Sequence, residues 1–73
     1  MRISYDRDAD TAYIQLGHPT ASAHRATTRA LMPAGIDGFI ALDWQDGQLI
    51  GIEILDASAR LSHEILEQAE PAD

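Results

Sequence analysis

The 73 residues predict an α+β fold, a small antiparallel β-sheet of four to five strands followed by a short C-terminal helix. Three observations carry this. Asp46-Gly47 lies between two β-prone runs, and an Asp-Gly pair supplies the positive φ that both central residues of a type I′ hairpin turn require. Ile3-Ser4-Tyr5 and Thr11-Ala12-Tyr13-Ile14-Gln15-Leu16 alternate with the period of two that marks half-buried strands. After Leu61 the pattern changes to helical spacing, with Ser62 placed to cap.

In chain order, the first two strands form a hairpin around the polar stretch Asp6 to Asp10. With Tyr5 opposite Ala12, one face carries Ile3, Tyr5, Ala12, Ile14 and Leu16, and Ser4, Tyr13 and Gln15 point the other way. Gly17 to Ser22 is a connection, punctuated by Gly17 and Pro19. His24 to Met32 is a weaker strand, with Arg25, Thr27 and Arg29 toward solvent and Ala26, Thr28 and Ala30 inward. Its adjacent threonines disfavour a helix. Pro33 to Gly38 forms a second loop.

Gly38 to Trp44 and Gln48 to Leu55 make the central hairpin, with Gln45 opposite Gln48 and Trp44 opposite Leu49. An unbroken ladder puts Phe39, Ala41, Ile50, Ile52 and Ile54 on one face, with Asp43 near the turn. It puts Ile40, Leu42, Trp44, Leu49, Gly51, Glu53 and Leu55 on the other. Both faces are mostly apolar, whereas a sheet wetted on one side alternates apolar with polar. Asp56 is placed to cap a short turn through Arg60. Leu61 and Leu66 bracket Ser62 as a hydrophobic staple, Glu64 suits the first turn, and the helix Ser62 to Ala69 stops before Pro71. The chain reads as one domain over residues 1–69 with a frayed tail at 70–73.

A chain of this length buries only roughly 60–65% of its unfolded surface, so its core needs reinforcement. Cysteine is absent, which excludes disulfides and thiolate metal sites. His18, His24 and His63 fall at no familiar ligand spacing. Oligomerisation is the remaining device. The formal charge of −7, from twelve acids against five arginines and no lysine, opposes direct binding of nucleic acid or an anionic membrane. The start Met1-Arg2-Ile3-Ser4 lacks the apolar run of a signal peptide, and no stretch reaches the ~18 apolar residues of a bilayer span. A cytoplasmic protein is expected, and arginine in place of lysine with many alanines fits a GC-rich bacterial genome.

Candidate chemistry is sparse. Asp6, Asp8 and Asp10 open like a calcium loop, but Thr11 stands where the sharp turn needs glycine and Gly17 where the bidentate glutamate belongs. Local turn bonding is the better reading of these aspartates. Glu53, on an apolar face in the unbroken ladder, has the surroundings that raise a carboxyl pKa, yet no histidine is placed to work with it. An ion pair with an arginine, within the chain or across a subunit interface, accounts for it. No nucleophile triad, phosphate-cradling glycine loop or redox motif is present, so neither an enzyme nor a cofactor is expected.

The segments Ile3-Ser4-Tyr5-Asp6, Asp10-Thr11-Ala12-Tyr13-Ile14 and Asp43 through Ser58 resemble the small prokaryotic family Domain of Unknown Function 2283, with Gly51 to Ser58 the most specific piece. The resemblance implies β-strands followed by a carboxy-terminal helical segment, and no catalytic residues. Members sit beside small toxin-like proteins in some cases.

Two functions follow as expectations. The first is a non-enzymatic protein-interaction module working as a homodimer, its self-association face formed by Ile40, Leu42, Trp44, Leu49 and Leu55. The second is an antitoxin-like protein whose acidic surface neutralises a small basic ribonuclease-type toxin.

Overall fold

Strand-forming residues dominate the first 55 positions, and the chain spends them on one sheet. The computed structural model describes residues 1–72. Its elements are β1 (Arg2–Asp6), β2 (Thr11–Gln15), β3 (Arg25–Arg29), β4 (Ile40–Gln45), β5 (Gln48–Leu55), α1 (Ala57–Arg60), α2 (His63–Gln68) and β6 (Glu70–Pro71). The sheet order is β3-β4-β5-β2-β1-β6, antiparallel throughout except for β6, which runs parallel to β1. The α+β class is as expected, with six strands instead of four or five and two helices instead of one. The two hairpins lie side by side in a single layer, joined where β2 pairs with β5.

The first hairpin has the expected register, Tyr5 opposite Ala12 and Ile3 opposite Ile14. Its turn is tied by Asp6, whose carboxylate accepts from the Asp8 and Ala9 amides at 3.0 and 3.2 Å. The central hairpin turns on Asp46 (φ 50°) and Gly47 (φ 80°), with Gln45 opposite Gln48 and Trp44 opposite Leu49. Asp46 also fastens the start of β3, its side chain accepting from the His24 amide at 3.0 Å and its own amide donating to the His24 carbonyl at 2.9 Å. No atom lies within 4 Å of a Cβ built on Gly47, so its requirement is conformational alone. Gly47→Val is therefore expected to cost on the order of 1 kcal/mol or more, because a β-branched residue resists positive φ. Thermal melts against Gly47→Asn, which tolerates that region, check it; equal melting temperatures for the valine variant and wild type would refute the turn's role.

Beyond the turn the unbroken ladder fails. Asp43 pairs with Gly51, Leu42 with Ile52, Ala41 with Glu53 and Ile40 with Ile54, so a bulge inserts Ile50 as an unopposed residue. An extra residue on one strand exchanges the faces beyond it. Ile40, Leu42 and Trp44 consequently share a face with Ile52 and Ile54, while Ala41 and Asp43 share one with Gly51, Glu53 and Leu55. Ile50 is buried, and its carbonyl accepts from the Leu16 and Gly17 amides at 2.8 and 3.0 Å.

Both helices lie on the first of these faces. Ala57 is fully buried against Ala12 and Ile54, with Tyr5, Ile14, Ile40, Ile52, Leu61 and Leu66 around them. The Ser62 cap forms as expected, its hydroxyl accepting from the Ile65 amide at 3.3 Å, and both residues of the staple reach the core. Asp56 does not cap α1. It adopts φ 55° and its side chain makes no cap bond. Glu70 to Ala72, expected to fray, instead close the β1 edge: Glu70 pairs with Ser4 and Pro71 with Tyr5, the Ala72 amide donates to the Tyr5 carbonyl at 3.0 Å, and Arg2 bonds Glu70 at 2.8 Å. Proline fits there because its missing N–H faces away from the ladder. Asp73 lies outside the described residues.

Candidate functional site

The helices are too short to span the sheet, and part of the face they pack on has no helix above it. Their apolar side chains reach β1, β2, β5 and Ile40 at the near end of β4. Leu42, Trp44 and Leu49 belong to the same face but stand outside that cluster, half-buried at its edge. Trp44 is held upright, its indole N–H donating to the Thr28 hydroxyl at 2.7 Å. Of the five residues expected to form a self-association face, Ile40, Leu42, Trp44 and Leu49 are thus together, with Ile40 already packed on the core. Leu55 is not with them, because the bulge leaves it on the opposite face with Glu53. Glu53 is exposed there and makes no ion pair within the chain among the described residues.

That opposite face has no layer above it, yet it is closed by its own side chains. Gly51 leaves room for the Tyr13 ring to lie across β5, so the phenol of β2 reaches Asp43 of β4 and donates to it at 2.8 Å. The second carboxylate oxygen of Asp43 accepts from the Thr27 hydroxyl of β3 at 2.8 Å. Burial, then the bond to Asp43, raises the Tyr13 pKa above its ordinary value. The Arg29 guanidinium covers the Phe39 ring at 4.5 Å, a cation–π contact. Gly51 and Ala41 are buried beneath these side chains. The face is finished for water.

A third cluster joins the sheet to the helices. Asp10, at φ 53°, accepts on its carboxylate from the Tyr5 hydroxyl at 2.7 Å, the Ser58 hydroxyl at 2.7 Å and the Ser58 amide at 3.0 Å. Its carbonyl accepts from the Ala57 amide at 2.9 Å. Asp10 thereby does for α1 what Asp56 was expected to do, from 48 residues away. The Tyr5 bond, then those of Ser58, hold its pKa below the ordinary carboxylate value. A carboxyl whose folded pKa is depressed contributes stability above its unfolded pKa and loses it as pH falls through the folded value. Acid titration of wild type and Asp10→Asn is therefore expected to show wild-type stability declining below about pH 4 more steeply than the variant's. Parallel acid limbs in denaturant melts would refute this.

Among the described residues no three histidines, aspartates or glutamates converge as a metal-ligand set, and no helix is long and apolar enough to cross a membrane. Asp6, Asp8 and Asp10 are divided between turn bonding and the α1 cap.

What the geometry defines is a class: a thin six-stranded sheet, polar on one face and half-covered by C-terminal helices on the other. The chain belongs to the family described as protein of unknown function (DUF2283), whose model matches residues 2–58 of 73. The matched segment contains β1 to β5 and both ends of the Asp10–Ser58 joint. No curated protein and no solved structure matches the chain.

Proposed function

We propose that the protein is a non-enzymatic interaction module that works as a homodimer, with the uncovered half of the helix-bearing face as the contact. The carrying observation is surface area. A compact monomer of 8.0 kDa exposes about 4,450 Å² by the mass scaling of folded proteins, and this chain exposes 5321 Å². The excess, roughly 870 Å², is close to the ≈ 800 Å² that each partner contributes to a standard stable interface. The radius of gyration agrees, at 12.8 Å against about 11.2 Å for a compact chain of this length. The slab is 18 Å thick, and no large side chain in it is fully buried.

The side of the contact follows from the contrast between the faces. Tyr13, Asp43 and Thr27 have satisfied partners within one chain, whereas Leu42, Trp44 and Leu49 offer apolar surface that a second copy covers. Sedimentation or light scattering at high micromolar concentration tests this. A dimer mass is the expected result, and a monomer at that concentration overturns it.

A second reading has support at the other end of the sheet, where Asp6, Asp8 and Glu67 outnumber Arg7 along one open cleft. This acidic end suits a small basic ribonuclease-type toxin, for which the protein acts as an antitoxin. The reading requires that the protein inhibit such a ribonuclease in a salt-sensitive way, and that Asp8→Lys with Glu67→Lys weaken inhibition.

A further inference from the structure

The two edges of the sheet are treated differently. The β1 edge is closed by β6, but β3 is an edge strand exposed along all five residues with nothing beyond it. The Ala30 amide donates to the Ile40 carbonyl and the Asp46 amide to the His24 carbonyl, so the even-numbered residues of β3 turn their main chain toward β4. In an antiparallel ladder the alternate residues turn theirs the other way. The N–H and C=O groups of Arg25, Thr27 and Arg29 therefore point outward as a ready strand template.

The side chains on those three residues select what can be added. A two-fold pairing of β3 with β3 of another copy, centred on Thr27, sets Arg25 opposite Arg29, and like charges directly opposite are destabilising. Self-pairing in that fully overlapping register is thus disfavoured. The chain holds twelve acids, yet among the described residues neither Arg25 nor Arg29 has a carboxylate within ion-pair reach, whereas Arg2 has Glu70. The Arg29 guanidinium rests face-on against the Phe39 ring at 4.5 Å, a contact that leaves its in-plane N–H donors unused.

We propose that the outer edge of β3 binds an extended acidic segment of a partner protein as an added strand, with carboxylates at alternate positions opposite Arg25 and Arg29. Main-chain bonds supply the register and the arginines supply the choice of partner. A dimer formed face to face leaves this edge open on each copy, and the site does not depend on that dimer.

The test uses the full chain and an acetylated, amidated peptide Glu-Val-Glu-Val-Glu, followed by NMR. The expected result is saturable shifts confined to 24–30, with slowed hydrogen exchange at the amides of Arg25, Thr27 and Arg29. The lysine counterpart of the peptide leaves them unchanged. Arg25→Glu with Arg29→Glu, both at exposed positions, should weaken the glutamate peptide at least tenfold and create binding of the lysine peptide. Thr27→Pro should abolish binding, since it removes the central outward N–H while the β4-facing bonds remain. No saturable change at millimolar peptide overturns the proposal. So does binding without amide protection, which would mean charge attraction alone.

Discussion

Leu42→Asp is expected to abolish the proposed dimer and leave a monomer. Leu42 sits on β4 between Thr28 and Ile52, at the border of the area the helices leave uncovered. Fully burying a leucine contributes about 1.5–3 kcal/mol; Leu42, already half-buried, gains a fraction of that, and a symmetric contact contains it twice. Placing a carboxylate there removes that gain and adds a charge to be desolvated. The dimer should weaken by about a hundredfold or more, since every ~1.4 kcal/mol is tenfold. In the monomer Leu42 is only half-buried, so the variant should retain its circular dichroism with a lowered melting temperature. A variant that keeps both the wild-type mass and the wild-type spectrum removes the contact from this face.

Gly51→Ala should produce the largest loss of monomer stability from a single methyl group. A Cβ at this position overlaps the Tyr13 hydroxyl and ring carbons. The phenol must swing off the sheet, which breaks its bond to Asp43 and uncovers the strand beneath. A lost bond of this kind and the overpacking each cost about 1–3 kcal/mol. The mechanism makes a sharper claim than the magnitude. With Tyr13 already replaced by alanine, the methyl at Gly51 should cost almost nothing, so a double-mutant cycle must be strongly non-additive. Additive melting shifts would mean that the glycine serves the bulge and not the ring.

Local signals carry through to the structure, and long-range pairings leave little trace in the sequence. The Asp46-Gly47 turn, the pairing of Tyr5 with Ala12 and the Ser62 cap depend on neighbours a few positions away, and each formed as expected. The bulge at Ile50 is different, because Leu49-Ile50-Gly51-Ile52 is apolar enough to satisfy either register. Its one signal was Gly51, since a lone glycine inside a strand marks a bulge or a close approach. Here it marks both. That single residue regrouped the candidate interface, moving Leu55 and Glu53 away from Leu42 and Trp44. Sequence adjacency points to Asp56 as the cap on α1, whereas the backbone enters the helix at positive φ and Asp10 supplies the acceptors. Pro71 marks a helix stop in the local pattern, but its parallel partner in β1 is invisible to any such pattern.

The strand order sets the route by which this chain reaches its native state. Two hairpins, residues 2–15 and 40–55, close over short turns and form early, but the seam between them pairs Ala12 with Ile54, across most of the chain. Closing so long a loop is the slow event, because its entropy is lost before the contacts that offset it exist. Until that moment β2 and β5 are both bare edges, and β5 presents Leu49-Ile50-Gly51-Ile52 with no charge to deter pairing with another chain. Asp10 and Ser58 meet across the end of the same seam. Their bond forms only once the hairpins have docked, so it slows the reopening of the seam and leaves the rate of docking unchanged.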